Sequence, residues 1–455
     1  MASSRKRPLP PRRPPSRASA DARPDRKGAP ATERKAGASR KPDARKSDAR
    51  KPDARKPESN EPRSTRPVPE GALRLTRPLE RVIHEGHPWV FSDALEGHAE
   101  HGALTPLLDR RGEPLGRGIA EQGAIGLRVW TTDRREALDA ELVRARFARA
   151  KALRDVVVDA DTSAYRLVHG EGDRLPGVVV DVYGAERRYA VLRFDGAVSE
   201  VAFVRETLAA ELRALGVDTL LHKHGRKGET RVDVIFGRAP KGLVEVREHG
   251  MVLPADLMHG QKTGLFLDHR ESRLRVRTLA RGLRVLNLYA YTGGFSISAG
   301  LGGASHVTTV DVAPAAVALS EDGWARNGLS AQSHRAVAAD VPTFLEADDA
   351  RFDLVIADPP SFAPSERTKP AALAAYEKLH AACLARVELG GFYLAASCSS
   401  HVRGGDFETT LRDGARKARR KLQVLDRWGG APDHPRLLAF PEGDYLDCVL
   451  TRVVG

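Results

Sequence analysis

Strand-like and helix-like segments alternate along the second half of the chain, from about residue 246 to 455. Short apolar runs rich in β-branched residues are separated by longer runs of helical periodicity. This alternation is typical of a doubly wound α/β fold, in which ligands bind beyond the carboxyl ends of parallel strands. We therefore expect a Rossmann-like domain over 246–455, with its functional residues at the strand ends. The predicted strands are 284–288, 307–310, 352–357 and 391–396, and the predicted helices are 313–327 and 371–387.

The first predicted strand leads into a turn with two adjacent glycines, Tyr291-Thr292-Gly293-Gly294. Glycines let a cofactor approach the backbone because no Cβ is in the way. The G-x-G-x-x-G spacing of dinucleotide-binding proteins is absent from this turn, which argues against a nicotinamide-dependent dehydrogenase. The turn instead resembles the glycine loop of S-adenosylmethionine-dependent methyltransferases, whose cofactor has no pyrophosphate.

Two aspartates follow the next strands of the predicted sheet. Asp311 ends the strand after the glycine turn. A carboxylate at that place can accept both hydroxyls of a ribose, and the alternative role is helix capping. Asp340 follows the third strand region and is a candidate acceptor for an adenine amino group, with a simple turn as the alternative.

Two further motifs at strand ends have residue types suited to chemistry on a base. Asp358-Pro359-Pro360-Ser361-Phe362 follows an apolar strand, and its prolines fix the backbone that presents the carboxylate. Ser397-Cys398-Ser399 follows the next strand, so that Cys398 is a candidate nucleophile. Cys383 and Cys448 lie within a predicted helix and an apolar terminal strand, where most lone cysteines are small buried hydrophobic residues.

The segment before the α/β domain divides into two shorter parts. Residues 71–138 hold short strand-like pieces and closely spaced glycines, which predict a small β-barrel. Residues 139–245 predict a central α/β domain with a hairpin, a helix and a basic loop at 222–228. That loop is either a solvated turn or a nucleic-acid contact. A helix over 137–157 has a predicted apolar face, with Phe147 off it, that comprises Leu138, Leu142, Ala145, Leu153 and Val156.

A basic tail precedes these parts. Residues 1–70 carry 21 Lys and Arg against 9 Asp and Glu, a net charge of +12 out of +13 for the whole chain. They repeat Lys-Pro-Asp-Ala-Arg and contain no aromatic residue, so we expect a disordered segment. The tail is either a solubilising leader or an arm that attracts polyanions.

Cysteine content and hydropathy indicate the compartment. Three cysteines exclude a disulfide framework, and the chain has no apolar run long enough for a membrane span. The charged N-terminus is not a secretory signal. We therefore expect a cytoplasmic protein that has no contact with a membrane.

Residues 71–455 as a whole resemble the RlmI-type 23S rRNA 5-methylcytosine methyltransferases. The glycine turn and both strand-end motifs have counterparts in that family. The resemblance implies a class I methyltransferase domain preceded by a PUA-type RNA-binding domain and a central α/β domain. It also implies S-adenosylmethionine as the cofactor, no metal, and large-subunit ribosomal RNA as the partner. The other matching strings, in chain order, are 87–91, 166–171, 175–177, 262–270, 433–435 and 441–446.

The resemblance further implies roles for individual residues. Cys398 attacks carbon 6 of a cytosine so that carbon 5 becomes nucleophilic, and Asp358 binds and protonates the pyrimidine edge. A surface ion pair is the alternative for Asp268 and Arg270, and core packing is the alternative for Phe362. The residues implied at the cofactor or nucleotide entrance, or against a flipped base, are Phe266, Asp268, Arg270, Tyr291 and Phe362.

The sequence leaves several alternatives open. Related RNA methyltransferases have a second cysteine where Ser361 stands here, so the base that removes the carbon-5 proton is unassigned, with Asp433 and His434 as candidates. A sister branch methylates ring nitrogen 7 of guanine without a covalent adduct. A non-catalytic RNA-binding or ribosome-assembly protein is a third reading, and a homodimer is an open alternative to a monomer.

Overall fold

The computed structural model describes residues 65–225, 230–363, 365–399, 401–402 and 404–455. Most of the predicted basic tail, and residues 226–229 of the predicted basic loop, lie outside the described residues. Within the described ranges, no helix is both long enough and apolar enough to cross a membrane.

Residues 73–131 form a six-stranded sheet with one short helix. The elements are β1 (Leu73–Leu75), α1 (Glu80–His84), β2 (Trp89–Phe91), β3 (Leu95–Gly97), β4 (Leu104–Leu108), β5 (Pro114–Ala120) and β6 (Ile125–Thr131). The strand order is β2-β6-β5-β4-β1-β3, and only β1 and β4 pair in parallel. Gly118 in β5 is required because a Cβ there would lie 2.0 Å from the carbonyl oxygen of Arg128.

A second sheet and two helices form the central part of the chain. The elements are α2 (Ala140–Val157), β7 (Ala164–His169), β8 (Val178–Tyr183), β9 (Tyr189–Phe194), α3 (Ala202–Ala214), β10 (Thr219–His224) and β11 (Arg231–Phe236). Strands β7, β8 and β9 form an antiparallel meander, and β10 returns parallel to β9 after α3. Ile119 and Trp130 of the first sheet join the apolar cluster of this part, so the two sheets share a core.

The predicted apolar face of α2 is partly wrong. Val156 is 83% exposed, whereas Phe147, assigned off the face, is buried. Arg146 and Arg154 are also buried, because their side chains pack inward and their guanidinium groups find partners. Hydrophobic periodicity misses such a face because it counts arginine as a surface residue.

A β-hairpin and a seven-stranded sheet complete the fold. The hairpin strands are β12 (Val244–Glu248) and β13 (Met251–Ala255). The remaining elements are α4 (Arg270–Leu279), β14 (Arg284–Leu288), α5 (Gly294–Leu301), β15 (His306–Asp311), α6 (Pro314–Arg326), β16 (His334–Ala338), α7 (Val341–Ala347), β17 (Phe352–Ala357), α8 (Lys369–Ala385), β18 (Val387–Ser397), α9 (Gly404–Lys417), β19 (Leu422–Trp428) and β20 (Asp447–Val453).

The strand order of this sheet is β16-β15-β14-β17-β18-β20-β19. All neighbours are parallel except β20, which is antiparallel to both β18 and β19. The chain runs outward from β14 to β16 and then crosses back to β17 on the other side. The strand order therefore reverses between β14 and β17, which is where ligands bind in open α/β sheets. The predicted doubly wound domain is confirmed.

Arg154 of α2 offers a test of how this helix packs against the segments that contain Asp173 and Asp433. It donates to both oxygens of Asp173 at 2.7 Å, and to the carbonyl oxygens of Arg166 and Asp433 at 2.7 Å. We expect Arg154→Ala to lower the free energy of unfolding by about 3–5 kcal/mol, because the Asp173 side chain, which is 6% exposed, loses its charge partner. Urea denaturation measures this difference.

The matched control is Arg144→Ala on the exposed face of α2. Arg144 pairs with Glu141, and both side chains are at least half exposed, so its loss should cost less than about 1 kcal/mol. Equal midpoints for the two variants would contradict the role given to Arg154.

Candidate active site

The turn after β14 is held in an unusual backbone conformation. Tyr289, Tyr291 and Gly293 have φ angles of 56°, 49° and 73°, a region that costs energy for residues other than glycine. A Cβ on Gly293 would lie 2.5 Å from the Cβ of Ser320, so only glycine fits there. Gly293 therefore packs closely against Ser320 of α6, and Gly294 begins α5.

Asp311 lies at the end of β15 and fixes this turn. Its Oδ2 accepts the backbone N–H of Tyr291 at 2.7 Å, and its Oδ1 accepts that of Ala313 at 2.9 Å. The carboxylate is therefore fixed in orientation between the two turns. Asp340 caps α7, because its Oδ2 accepts the backbone N–H and the hydroxyl of Thr343 at 3.3 and 3.1 Å.

A cavity of about 670 Å³ lies at the carboxyl ends of β14, β15, β17 and β18. The turn after β14 and Asp311 form one part of its wall, and the residues after β17 and β18 form another. Of the twelve residues predicted for the site, Gly293 and Arg270 do not line the cavity. The ten that do are Phe266, Asp268, Tyr291, Thr292, Gly294, Asp311, Asp340, Asp358, Phe362 and Cys398.

Cys398 is a partly exposed thiol at this cavity. Its Sγ lies 3.9 Å from the carbonyl oxygen of Pro359. Burial and the negative charge of Asp358 raise the pKa of the Cys398 thiol to about 11. At neutral pH the sulfur therefore carries its proton, which must leave when the sulfur acts as a nucleophile.

Hydroxyl groups connect the two strand-end motifs. The Tyr376 hydroxyl lies 2.9 Å from Ser397 Oγ and 3.0 Å from Ser399 Oγ. Ser399 Oγ in turn lies 3.1 Å from Ser361 Oγ. Phe362 packs against the Tyr376 ring at 4.8 Å and also lines the cavity, so both roles considered for it are compatible.

Lys262 lines the cavity and was missed as a site residue in the sequence. Its Nζ lies 2.7 Å from Asp268 Oδ2 and 4.4 Å from the centre of the Phe266 ring. Tyr445 donates its hydroxyl to the same oxygen of Asp268 at 2.9 Å. Burial alone would raise the pKa of Asp268, but the charges of Lys262 and His269 hold that pKa well below its usual value.

His269 is a second lining residue that the sequence does not single out. Its Nε2 lies 3.2 Å from Asp358 Oδ2. Both missed residues belong to the Lys262–Arg270 string. The string does carry a signal, because it places charged and titratable residues among apolar ones. Charged groups in such surroundings need partners of opposite charge. The spacing of the string could not say which of its side chains face the cavity.

The expectation that Arg270 lines the entrance is wrong. Arg270 is the first residue of α4 and is fully buried, and its Nη1 donates to Asp433 Oδ2 at 2.8 Å. Asp433 also accepts the backbone N–H of Arg166 at 2.9 Å and lies 3.1 Å from His434 Nδ1. Neither Asp433 nor His434 lines the 670 Å³ cavity. Both candidate bases are thus engaged in a buried network between parts of the chain.

The chain matches known families and proteins over most of its length. A family model described as S-adenosylmethionine-dependent methyltransferase matches residues 203–441, and one described as PUA-like domain matches residues 73–132. Ribosomal RNA large subunit methyltransferase I of Shigella boydii is 33% identical over 84% of this chain and 99% of that protein. The protein of the same name from Photobacterium profundum is 34% identical over 82% and 97%.

Two solved structures share the fold. A putative SAM-dependent methyltransferase from Streptococcus mutans aligns with a TM-score of 0.74 at 23% identity. SMU.776, a putative methyltransferase complexed with SAH, aligns with a TM-score of 0.75 at 23% identity. Each alignment covers 84% of this chain and 100% of the other.

The position of Asp311 in the cavity wall predicts that its carboxylate contributes to cofactor binding. We expect Asp311→Ala to raise the Kd for S-adenosylmethionine about 10- to 100-fold, because a hydrogen bond to a charged acceptor contributes about 1.5–3 kcal/mol. Isothermal titration calorimetry measures the change. Asp353→Ala is the control, since Asp353 pairs with Arg284 at the opposite end of β17. An unchanged Kd for Asp311→Ala would contradict the predicted role of Asp311 in cofactor binding.

The raised pKa of Cys398 predicts its reactivity. Alkylation by iodoacetamide should be slow at pH 7 and rise about tenfold per pH unit toward pH 10, because only the thiolate reacts. Peptide mass spectrometry follows the modification of each cysteine. Cys383, which is fully buried, should stay unmodified in the folded protein. A rate for Cys398 that is independent of pH above 7 would show a thiolate and contradict the expectation.

Proposed function

The chain belongs to the family of S-adenosylmethionine-dependent methyltransferases, and on that premise we propose that it methylates carbon 5 of a cytosine in large-subunit ribosomal RNA. The relatives named for large-subunit ribosomal RNA match this chain over nearly their whole length, which supports the RNA substrate. The observation that carries the carbon-5 specificity is that a cysteine, Cys398, lines the same cavity as Asp358 and Asp311.

S-adenosylmethionine is the cofactor of the family, and the Asp311 end of the cavity fits it. Among the described residues, each oxygen of Asp311 accepts one backbone N–H, so each retains a lone pair for a ribose hydroxyl. Val312 and Val341 line this end with apolar surface that suits an adenine ring. When bound, the cofactor supplies the methyl group.

Addition of Cys398 to the base is the step that this chain's residues perform first. Carbon 5 of cytosine is a poor nucleophile until a group adds at carbon 6. Sγ loses its proton and bonds to carbon 6, and the electrons of the C5=C6 double bond move into the ring toward nitrogen 3. We assign Asp358 to the ring edge, where it takes the sulfur proton and delivers it to nitrogen 3 during this step.

Release of the product reverses the addition. After carbon 5 has accepted the methyl group, it loses its proton, the C5=C6 double bond re-forms, and the electrons of the C–S bond return to sulfur. Nitrogen 3 then gives its proton back through Asp358 to the sulfur, so that the thiol is restored. Ser361, which stands where related enzymes have a second cysteine, is hydrogen-bonded to Ser399. We therefore assign the carbon-5 proton to water.

The target base must leave its stack to reach the cavity. Base-modifying enzymes extrude their target nucleotide and hold it against aromatic or apolar side chains. The Phe266 and Tyr291 rings lie edge to face at 5.2 Å in the cavity wall, which supports this reading. The PUA-like sheet over 73–132 supports RNA as the partner.

Cys398→Ala tests the covalent route. We expect the variant to lose at least about 1,000-fold in the rate of 5-methylcytosine formation, because it lacks the nucleophile. Bisulfite mapping of large-subunit rRNA from cells with and without the active gene identifies the modified position. Cys383→Ala is the control, because Cys383 is a buried residue of α8 that does not line the cavity. This variant should retain the activity within about threefold.

Two outcomes would overturn the proposal in different ways. An unimpaired Cys398→Ala enzyme would exclude the covalent route and favour methylation of ring nitrogen 7 of guanine. An rRNA map that is unchanged by the gene, with no S-adenosylmethionine binding by calorimetry, would favour a non-catalytic RNA-binding protein.

A further inference from the structure

A buried histidine contacts the carboxylate that the proposed reaction uses. His269 is 2% exposed and belongs to the turn just before α4. Its Nε2 lies 3.2 Å from Asp358 Oδ2. The edge of its ring packs on Phe295 with a centroid distance of 5.4 Å. The ring therefore has little freedom to move away from the carboxylate.

The other side of the ring is anchored by a serine. His269 Nδ1 lies 3.3 Å from Ser272 Oγ, which accepts the indole N–H of Trp428 at 2.7 Å. Cys448 Sγ lies 3.8 Å from the same oxygen. These contacts form a continuous chain from β19 through Ser272 and His269 to Asp358, so the imidazole is fixed at both nitrogens.

The charge on His269 follows from its neighbour. Burial alone would lower the pKa of this imidazole, but the negative charge of Asp358 raises it to about 10. His269 is therefore an imidazolium at neutral pH, and both of its nitrogens donate. His380, another fully buried histidine, shows the contrast, because its ring meets the Tyr393 hydroxyl instead of a carboxylate and burial lowers its pKa to about 3.

We propose that His269 is a positioning residue for the reaction: it holds Asp358 Oδ2 so that the second oxygen of that carboxylate carries the Cys398 proton to ring nitrogen 3. The inference rests on the proposed function and assigns a residue that acts through Asp358. A carboxylate tied at one oxygen by a fixed donor presents its other oxygen in one direction.

The proton and electron pairs of this step balance. The Sγ–H bond breaks, and its proton moves to the free oxygen of Asp358 while the sulfur electron pair forms the bond to carbon 6. The displaced ring electrons reach nitrogen 3, which takes the proton from that oxygen. Asp358 ends the step as a carboxylate, and His269 keeps both of its protons throughout.

A double-mutant cycle between His269 and Asp358 tests the proposal. The variants are His269→Gln, Asp358→Asn and the double variant, with His380→Gln as the matched control for replacing a buried imidazole. The probe is a transcript of large-subunit rRNA in which 5-fluorocytosine replaces cytosine, because fluorine at carbon 5 blocks release and traps the adduct. Single-turnover adduct formation, RNA KM, and the Kd for S-adenosylmethionine are measured for each variant.

We expect His269→Gln to slow adduct formation about 100-fold, which is the typical cost of a reacting group displaced by about 1 Å. Its RNA KM and its Kd for S-adenosylmethionine should stay within about threefold of the parent, and His380→Gln should match the parent in all three. In the Asp358→Asn background, His269→Gln should slow the reaction by less than about threefold, because its effect passes through Asp358.

Other outcomes would overturn either the role of His269 or the proposed function. Additive effects in the cycle, or a His269→Gln rate equal to that of His380→Gln, would overturn the role of His269 and leave the proposed function intact. No adduct with the parent enzyme would overturn the proposed function and this inference with it. If His269→Gln does not fold, Ser272→Ala replaces it, with an expected loss of about fivefold that vanishes in the Asp358→Asn background.

Discussion

The register of the parallel strands is the constraint on which the site depends. Leu288 pairs with both Val310 and Ala357, and Ala357 pairs with Ala395. Because the four strands are aligned in this way, the residues that follow them leave the sheet at one level of one edge. A slip of two residues in one strand would move its functional side chain by about 7 Å, which is more than a hydrogen bond can span.

Paired charges set the state of the nucleophile at this edge. Asp268 is paired with Lys262, and Asp358 is paired with His269. Each pair leaves little net charge, yet the carboxylates act on Cys398 together with burial, so its thiol stays protonated. A neutral thiol resists oxidation better than a thiolate does. In the proposed reaction the sulfur therefore stays unreactive until its proton can leave beside a bound base.

The sequence could predict what depends on local patterns, and less of what depends on packing. The strands 284–288 and 352–357 were predicted with their observed bounds, since each is a short apolar run with a motif behind it. The predictions for the apolar face of α2 and for the place of Arg270 were wrong, because both regions bury arginines whose partners, such as Asp173 for Arg154 and Asp433 for Arg270, come from other segments. His269 was missed because its partner, Asp358, also comes from another segment and lies 89 positions away.

The cavity wall also depends on contacts from outside the seven-stranded sheet. Thr263, next to Lys262, donates its hydroxyl to Asp181 of β8 at 2.5 Å. Asp181 is fully buried and holds Arg166 through two bonds of 2.8 and 2.9 Å. The loop that bears Asp268 is therefore fixed by the central sheet, whereas the backbone of Asp358 follows directly from β17. Because both carboxylates act on Cys398, the environment of the nucleophile depends on how the central part packs against the α/β sheet, and neither part alone defines it.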